Sequence, residues 1–293
     1  MKTPHLALSG KIVAVLNTGS GSCDEASADQ ARVLLDDAGF KSAQIISVGP
    51  AELEGALRSA VDTADVLIVL GGDGTIGTAA GLCQGDGAPL LIPLPGGTMN
   101  MLPKALYGAR SWQDALAATL NAPAIQEVSG GDLAGKRFYC AAILGAPSLW
   151  ADAREAVREG HLLEAAQRAV TATKRSLTDA VEYEFGATKG SADAVAVICP
   201  LVSGALKDDE RTLEAVALDP STAVGLFGLA FHAAFDGWRN DASVTRVKAR
   251  TVRVEGHGDL PVLLDGEKVE VGATATISFV PRAFRSLVPG ATD

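Results

Sequence analysis

Residues 67–78 run Leu-Ile-Val-Leu-Gly-Gly-Asp-Gly-Thr-Ile-Gly-Thr. Four apolar residues in succession present no polar face to water, so a strand made from them must be covered on both sides, as in a parallel sheet. The glycines that follow turn that strand into a loop. Gly71, Gly72 and Gly74 permit positive φ and let backbone N–H groups approach an anion closely. Asp73 places one carboxylate inside the same loop. Opposite a polyphosphate, that carboxylate needs a cation between the two, which implies Mg²⁺. The run also reads as an ordinary strand-to-helix turn with Asp73 or Thr75 as the helix cap. The rest of the chain decides between these readings.

The first 125 residues repeat the pattern. Strands are expected at 11–16, 42–48, 65–70 and 88–94. Helices are expected at 24–39, 51–63, 75–82, 99–106 and 112–120. Short apolar strands alternating with amphipathic helices give a Rossmann-like, doubly wound parallel sheet. Such sheets bind ligands at the carboxyl ends of their strands. Three loops rich in small and polar residues follow three of these strands: Asn17-Thr18-Gly19-Ser20-Gly21-Ser22, the 71–75 turn, and Pro93-Leu94-Pro95-Gly96-Gly97-Thr98-Met99-Asn100. They should gather on one edge, where the hydroxyls of Thr18, Ser20, Thr75 and Thr98 suit phosphate oxygens.

The character changes after Pro123. Gly130-Gly131 reads as a turn, 137–144 as a strand, and 148–178 as a long Ala-rich helical stretch. Strand patterns follow at 180–185, 194–199, 213–218, 246–254, 260–264, 268–271 and 273–280. Strands at this spacing suggest an antiparallel sandwich. The expected organisation is α/β plus all-β: a nucleotide domain at 1–125 and a β-sandwich at 126–282.

A net charge of −10 with no basic stripe argues against a nucleic-acid partner and against docking on anionic lipid through a polybasic face. Cys23, Cys83, Cys140 and Cys199 are widely separated, with no C-x-x-C pair, and read as buried thiols in a reducing compartment. No His has metal-ligand spacing to another His or to a Cys. The N-terminus does not read as a signal peptide, and no apolar run is long enough to span a bilayer. Residues 222–235 come closest; with Trp238 they read either as sandwich core or as a rim for an apolar substrate.

Asp265-Gly266-Glu267 sits between two strand patterns. Asp-Gly is a hairpin signal. The same turn also carries two carboxylates away from the sheet, where one could take a proton from an attacking hydroxyl. The acidic cluster at 207–211 reads as a solvated loop or, through Asp209, as a metal site.

These motifs together resemble one family. Gly71-Gly72-Asp73-Gly74-Thr75 is similar to the nucleotide-binding signature of the diacylglycerol kinase catalytic domain, whose superfamily also holds sphingosine and ceramide kinases and soluble bacterial lipid kinases. Gly97-Thr98-Met99-Asn100 matches its second signature. Asn17 to Gly21 resembles the first phosphate loop, and Asp265-Gly266-Glu267 the C-terminal Asp-Gly-Glu motif. The resemblance implies a lipid kinase that uses ATP and Mg²⁺ and acts in the cytoplasm, transiently at the inner membrane surface. Its acceptor would be a membrane lipid, reached through apolar contact. Diacylglycerol is the first candidate, and ceramide or a sphingoid base follows. Asn17, Thr18, Gly19, Ser20, Gly21, Ser47, Gly71, Gly72, Asp73, Gly74, Thr75, Gly97, Thr98 and Asn100 would hold the nucleotide. Asp73 would meet its metal, and Asp209 would lie at a structural Mg²⁺. Glu267, then Asp265, would be the base, with Asp73 completing the catalytic set. The tail at 283–293 would return to the first domain, and a homodimer is one open state of assembly.

Three positions depart from the family's pattern. Met101 stands where relatives carry Asp, Thr18 where they carry Pro, and Tyr139–Gly145 where they carry a glycine-rich opening to the lipid domain. NAD kinases share the Gly-Gly-Asp-Gly-Thr loop, but the Gly-Phe-Leu-like run that follows it in them is not found here. The alternative to a kinase is a catalytically weak lipid- or nucleotide-binding module on the same fold. Retention of Asp73, Thr98, Asp265 and Glu267 speaks against it, because a binder needs no base.

Overall fold

The computed structural model describes residues 10–145, 180–206, 211–218 and 244–290. It divides into two compact units, Met1–Ser129 with Pro281–Asp293, and Gly130–Val280.

In the first unit, strands β1 (Ile12–Asn17), β2 (Gln44–Val48), β3 (Val66–Gly71) and β4 (Leu90–Pro95) alternate with helices α1 (Ser27–Asp37), α2 (Leu53–Val61), α3 (Asp73–Leu82), α4 (Met101–Tyr107) and α5 (Trp112–Asn121). The strands are parallel, in the order β2-β1-β3-β4. β1 and β3 are buried at every position, as strands with helices on both faces must be. The core joins Leu16, Ile68, Leu70 and Leu94 of the sheet to Leu35 of α1 and Trp112 and Leu116 of α5. Burying each such side chain contributes about 1.5–3 kcal/mol. Ser111 starts α5 by accepting the Asp114 N–H at 3.1 Å.

The second unit packs two antiparallel layers. One holds β7 (Ala141–Gly145), β10 (Ala194–Ile198), β11 (Leu213–Leu218), β12 (Thr245–Ala249), β14 (Val262–Leu264) and β15 (Glu267–Val269), in the order β12-β11-β10-β7-β14-β15. The other pairs β8 (Val181–Phe185), β9 (Thr188–Ala192) and β13 (Thr251–Glu255) with the first part of β16 (Thr274–Pro289). Inward residues of both layers, among them Leu144, Val197, Phe185, Val254 and Ile277, form one core, so this unit is a β-sandwich. The last part of β16 belongs to the first unit, where Ser286 pairs in parallel with Leu91 of β4. Among the described residues no helix is long and apolar enough to cross a membrane.

Four local expectations are corrected, the first being the strand at 137–144, which breaks at Tyr139 and Cys140 into Lys136–Phe138 and β7. Gly130-Gly131 is not a turn but lies within β5 (Pro123–Leu133), and the chain turns at Ala134 and Gly135, both at positive φ. Gly131 is opposite Phe138 of β6 (Lys136–Phe138), and its missing side chain makes room for the ring: a Cβ there would overlap Phe138. The expected strand at 246–254 breaks at Arg250 into β12 and β13, which pair in different layers. β16 continues past 280 to Pro289. The expected helix at 148–178 lies outside the described residues.

Candidate active site

The carboxyl ends of β1, β3 and β4 bring three loops together within the first unit. Asn17, the last residue of β1, is buried. Its amide donates to the Thr75 hydroxyl at 2.9 Å, and its carbonyl Oδ1 accepts the Gly19 N–H at 2.9 Å. Ser20 accepts the Gly72 N–H on its hydroxyl at 3.1 Å, and Ser22 donates its backbone N–H to Gly96 at 2.9 Å. The Gly96 N–H in turn donates to the Gly71 carbonyl at 2.8 Å. Hydrogen bonds therefore connect each loop to both of the others.

Glycines set the spacing of this cluster. A Cβ on Gly97 would come within 2.7 Å of the Gly72 Cα, and one on Gly96 within 2.8 Å of the Gly71 backbone nitrogen. A Cβ on Gly71 would overlap Thr75, and one on Gly19 would meet Pro50 at 2.7 Å. Backbone lies against backbone at a closeness that no side chain permits. Asn100 takes the left-handed conformation, with φ 52° and ψ 49°, and its amide spans Gly97: Oδ1 accepts the Gly97 N–H at 2.8 Å, and Nδ2 donates to the Gly97 carbonyl at 2.7 Å. Asn is among the few residues that adopt this backbone readily.

Asp73 opens α3 without capping it; Gly72 is the cap residue and provides no side chain. The Asp73 carboxylate reaches instead to α4, where Oδ2 accepts the Asn100 N–H at 2.8 Å and Oδ1 the Met101 N–H at 2.6 Å. These N–H groups belong to the first turn of α4, which has no internal partners for them. Burial pushes the Asp73 carboxyl above its ordinary value, while the Met101 and Asn100 N–H groups and the charge of Lys104 oppose that rise. Thr18, Gly21, Ser47 and Thr98 are exposed, and Gly74 is half-buried beside Asp73. Two contributors were not singled out from the sequence. Gly96 was overshadowed by the Gly-Thr-x-Asn signature one residue on. Lys104 is marked by its place four residues after Asn100, on the same helix face.

In the second unit, Asp265 and Gly266 form the two-residue turn between β14 and β15, with φ 49° and 90°. Positive φ at both central positions is the hairpin geometry that Asp-Gly favours. The Asp265 carboxylate accepts three backbone N–H groups: Tyr139 at 2.7 Å on Oδ2, and Cys140 and Ala141 at 2.8 and 2.9 Å on Oδ1. This accounts for the break between β6 and β7, since the backbone of residues 139–140 bonds to a side chain instead of continuing a ladder. Glu267 is exposed. The Asp265 oxygens are thus committed to the backbone at 139–141.

All four cysteines are free and buried. Asp209, the stretch 222–235 and Trp238 lie outside the described residues. Among the described residues no cluster of three or more metal-ligating side chains occurs.

Residues 11–133 match the family model of the diacylglycerol kinase catalytic domain. No curated protein matches the chain. Two Bacillus anthracis str. Sterne structures share the fold. One, described as a candidate diacylglycerol kinase, is 18% identical with a TM-score of 0.71, over 96% of this chain and 98% of its own. The other, described as a diacylglycerol kinase, is 16% identical with a TM-score of 0.69, over the same shares. The loop cluster falls inside the matched segment, so residues 11–133 are where the chain is similar to a diacylglycerol kinase catalytic domain.

Proposed function

We propose that the protein transfers the terminal phosphoryl group of ATP to a hydroxyl of a membrane lipid, with diacylglycerol as the first acceptor to test and ceramide or a sphingoid base next. The observation that carries this reading is the side-chain-free contact of Gly71-Gly72 with Gly96-Gly97, hydrogen-bonded to the Asn17–Ser22 loop. This packing sets the loops around the start of α3, whose first-turn N–H groups have no intrahelical acceptors and suit a phosphate. The exposed hydroxyls of Thr18 and Thr98 border the same loops.

Mg²⁺ fits this site through Asp73. Each Asp73 oxygen accepts one N–H and keeps a further lone pair, and the half-buried charge favours a cation. When bound, the ion would neutralise phosphate charge. In the second unit we assign proton acceptance to Glu267 ahead of Asp265, because the Asp265 oxygens are engaged by three amides. An apolar surface, for which 222–235 and Trp238 are the candidates, would bring this acidic protein to a bilayer.

The test is incubation of the purified protein with ATP, Mg²⁺ and vesicles containing diacylglycerol, ceramide or sphingosine, with products identified by mass. Phosphatidic acid is the expected product. Measurable ATP binding without phosphate transfer to any lipid would overturn the reading in favour of a nucleotide-binding module.

A further inference from the structure

Lys104 stands one turn beyond Asn100, whose carbonyl accepts its backbone N–H at 2.9 Å. Residues four apart share a helix face, and a helical side chain leans back over the turn before its own Cα. On α4 that turn is Asn100 and Met101, whose amides Asp73 holds and whose Asn100 side chain is bonded to Gly97. That lean would carry the Lys104 stem toward the glycine loops, and its charge is felt at Asp73. Lys104 is half-buried. Among the described residues its ammonium has neither a hydrogen bond nor an ion pair within 4.0 Å. It does not reach the Asp73 oxygens within 4.0 Å, although its charge acts on them. A cation held beside anion-binding loops and unpaired by protein has its charge available for a polyanion.

We propose that Lys104 is a catalytic residue, its ammonium contacting the terminal phosphoryl group of bound nucleoside triphosphate. The inference rests on the phosphoryl-transfer reading above. In that step the bond between the transferring phosphorus and the bridging oxygen of the nucleoside diphosphate breaks, and its electron pair leaves with the diphosphate. A bond forms from the acceptor hydroxyl oxygen to the same phosphorus, and the hydroxyl proton passes to a carboxylate. Negative charge shifts over the phosphoryl and bridging oxygens, where a pre-positioned ammonium stabilises it. Neither neighbour can substitute: Asp73 carries the sign of the phosphate, and Met101 carries no charge.

The test compares wild type with Lys104→Gln and Lys104→Arg in three measurements: melting temperature, lipid phosphorylation, and calorimetric titration with ATP and with ADP. Lys104→Gln should melt within about 2 °C of wild type, as surface changes do. It should lose about 100- to 1000-fold in kcat and lose the preference for ATP over ADP. Lys104→Arg, which keeps the charge, should recover at least a tenth of the activity. Three results overturn the assignment: a kcat for Lys104→Gln within threefold of wild type, an unchanged ATP-over-ADP preference, or an arginine variant as inactive as the glutamine variant. If wild type itself transfers no phosphate, the kinase reading has failed, and the nucleotide titrations alone decide whether Lys104 touches the terminal phosphate.

Discussion

Replacing Asp265 by asparagine keeps the shape of the turn and removes one of the two oxygens that hold it. Asn tolerates the positive φ that Asp265 adopts, so the hairpin itself is not strained. The carboxylate, however, accepts three amides at 2.7–2.9 Å, and Tyr139 and Cys140 are each only 1% exposed. An asparagine presents one acceptor oxygen and one NH₂. With its oxygen toward Cys140 and Ala141, the Tyr139 N–H is left facing a second donor. A buried donor without an acceptor costs about 1–3 kcal/mol, and loss of charge from the remaining bonds adds about 1 kcal/mol. The total is about 2–4 kcal/mol, or a drop of about 5–15 °C in melting temperature at this size. Glu267→Gln is the contrast. Glu267 is exposed, so stability should change by less than about 0.5 kcal/mol, while lipid phosphorylation should fall about 100- to 10,000-fold if it accepts the proton. Scanning calorimetry and turnover on both variants separate the roles. An Asp265→Asn protein that melts with wild type yet loses turnover would refute the reasoning and make Asp265 the proton acceptor.

Gly97→Ala forces a Cβ to within 2.7 Å of the Gly72 Cα; overpacking of this kind costs about 1–3 kcal/mol, and the loops must part, so ATP affinity by calorimetry should fall at least about tenfold. Chelation of divalent cations should stop turnover, and added Mg²⁺ should restore it. Burial pushes the Cys83 thiol up to about 12 from 9.0. The folded state therefore keeps a proton that the unfolded chain releases, and the stabilisation is full below pH 9.0 and lost as pH rises through 9.0 toward about 12. Urea midpoints across that range should decline more steeply for wild type than for Cys83→Ala.

The parallel unit was legible because its signals are local. An apolar strand followed at once by a glycine loop reads the same whatever lies elsewhere, and β1, β3 and β4 with their loops appear where that logic places them. What escaped depends on distant partners. The interruption at Tyr139 and Cys140 is made by a carboxylate 126 and 125 positions away, so no window around those residues contains the cause. Gly131 reads as a turn because glycine usually is one, yet it sits opposite Phe138, whose ring occupies the space a side chain would need. β9, Thr188–Ala192, is half polar and carries Gly190, which the Tyr183 hydroxyl approaches within 2.6 Å of where a Cβ would stand; its strand character comes from pairing, not from composition. At the site, the glycines were readable as types. That Asp73 bonds the backbone at Asn100 and Met101 was not, since it depends on how the two loops fold together.

The last strand has a consequence for how the protein is made. Ser286 donates its hydroxyl to the Leu91 carbonyl at 3.0 Å, and Arg285 donates to the carbonyls of Asp86 and Ala88. This segment adjoins β4, yet the ribosome must build residues 130–280 before it emerges. At ordinary elongation rates that interval is roughly 8–30 s. Throughout it, the nascent first unit carries β4 without its β16 neighbour, an unpaired edge that is a template for pairing with another chain. Pairing of the Ser286 segment is thus the step that closes this edge, and the order of synthesis places it after residues 130–280.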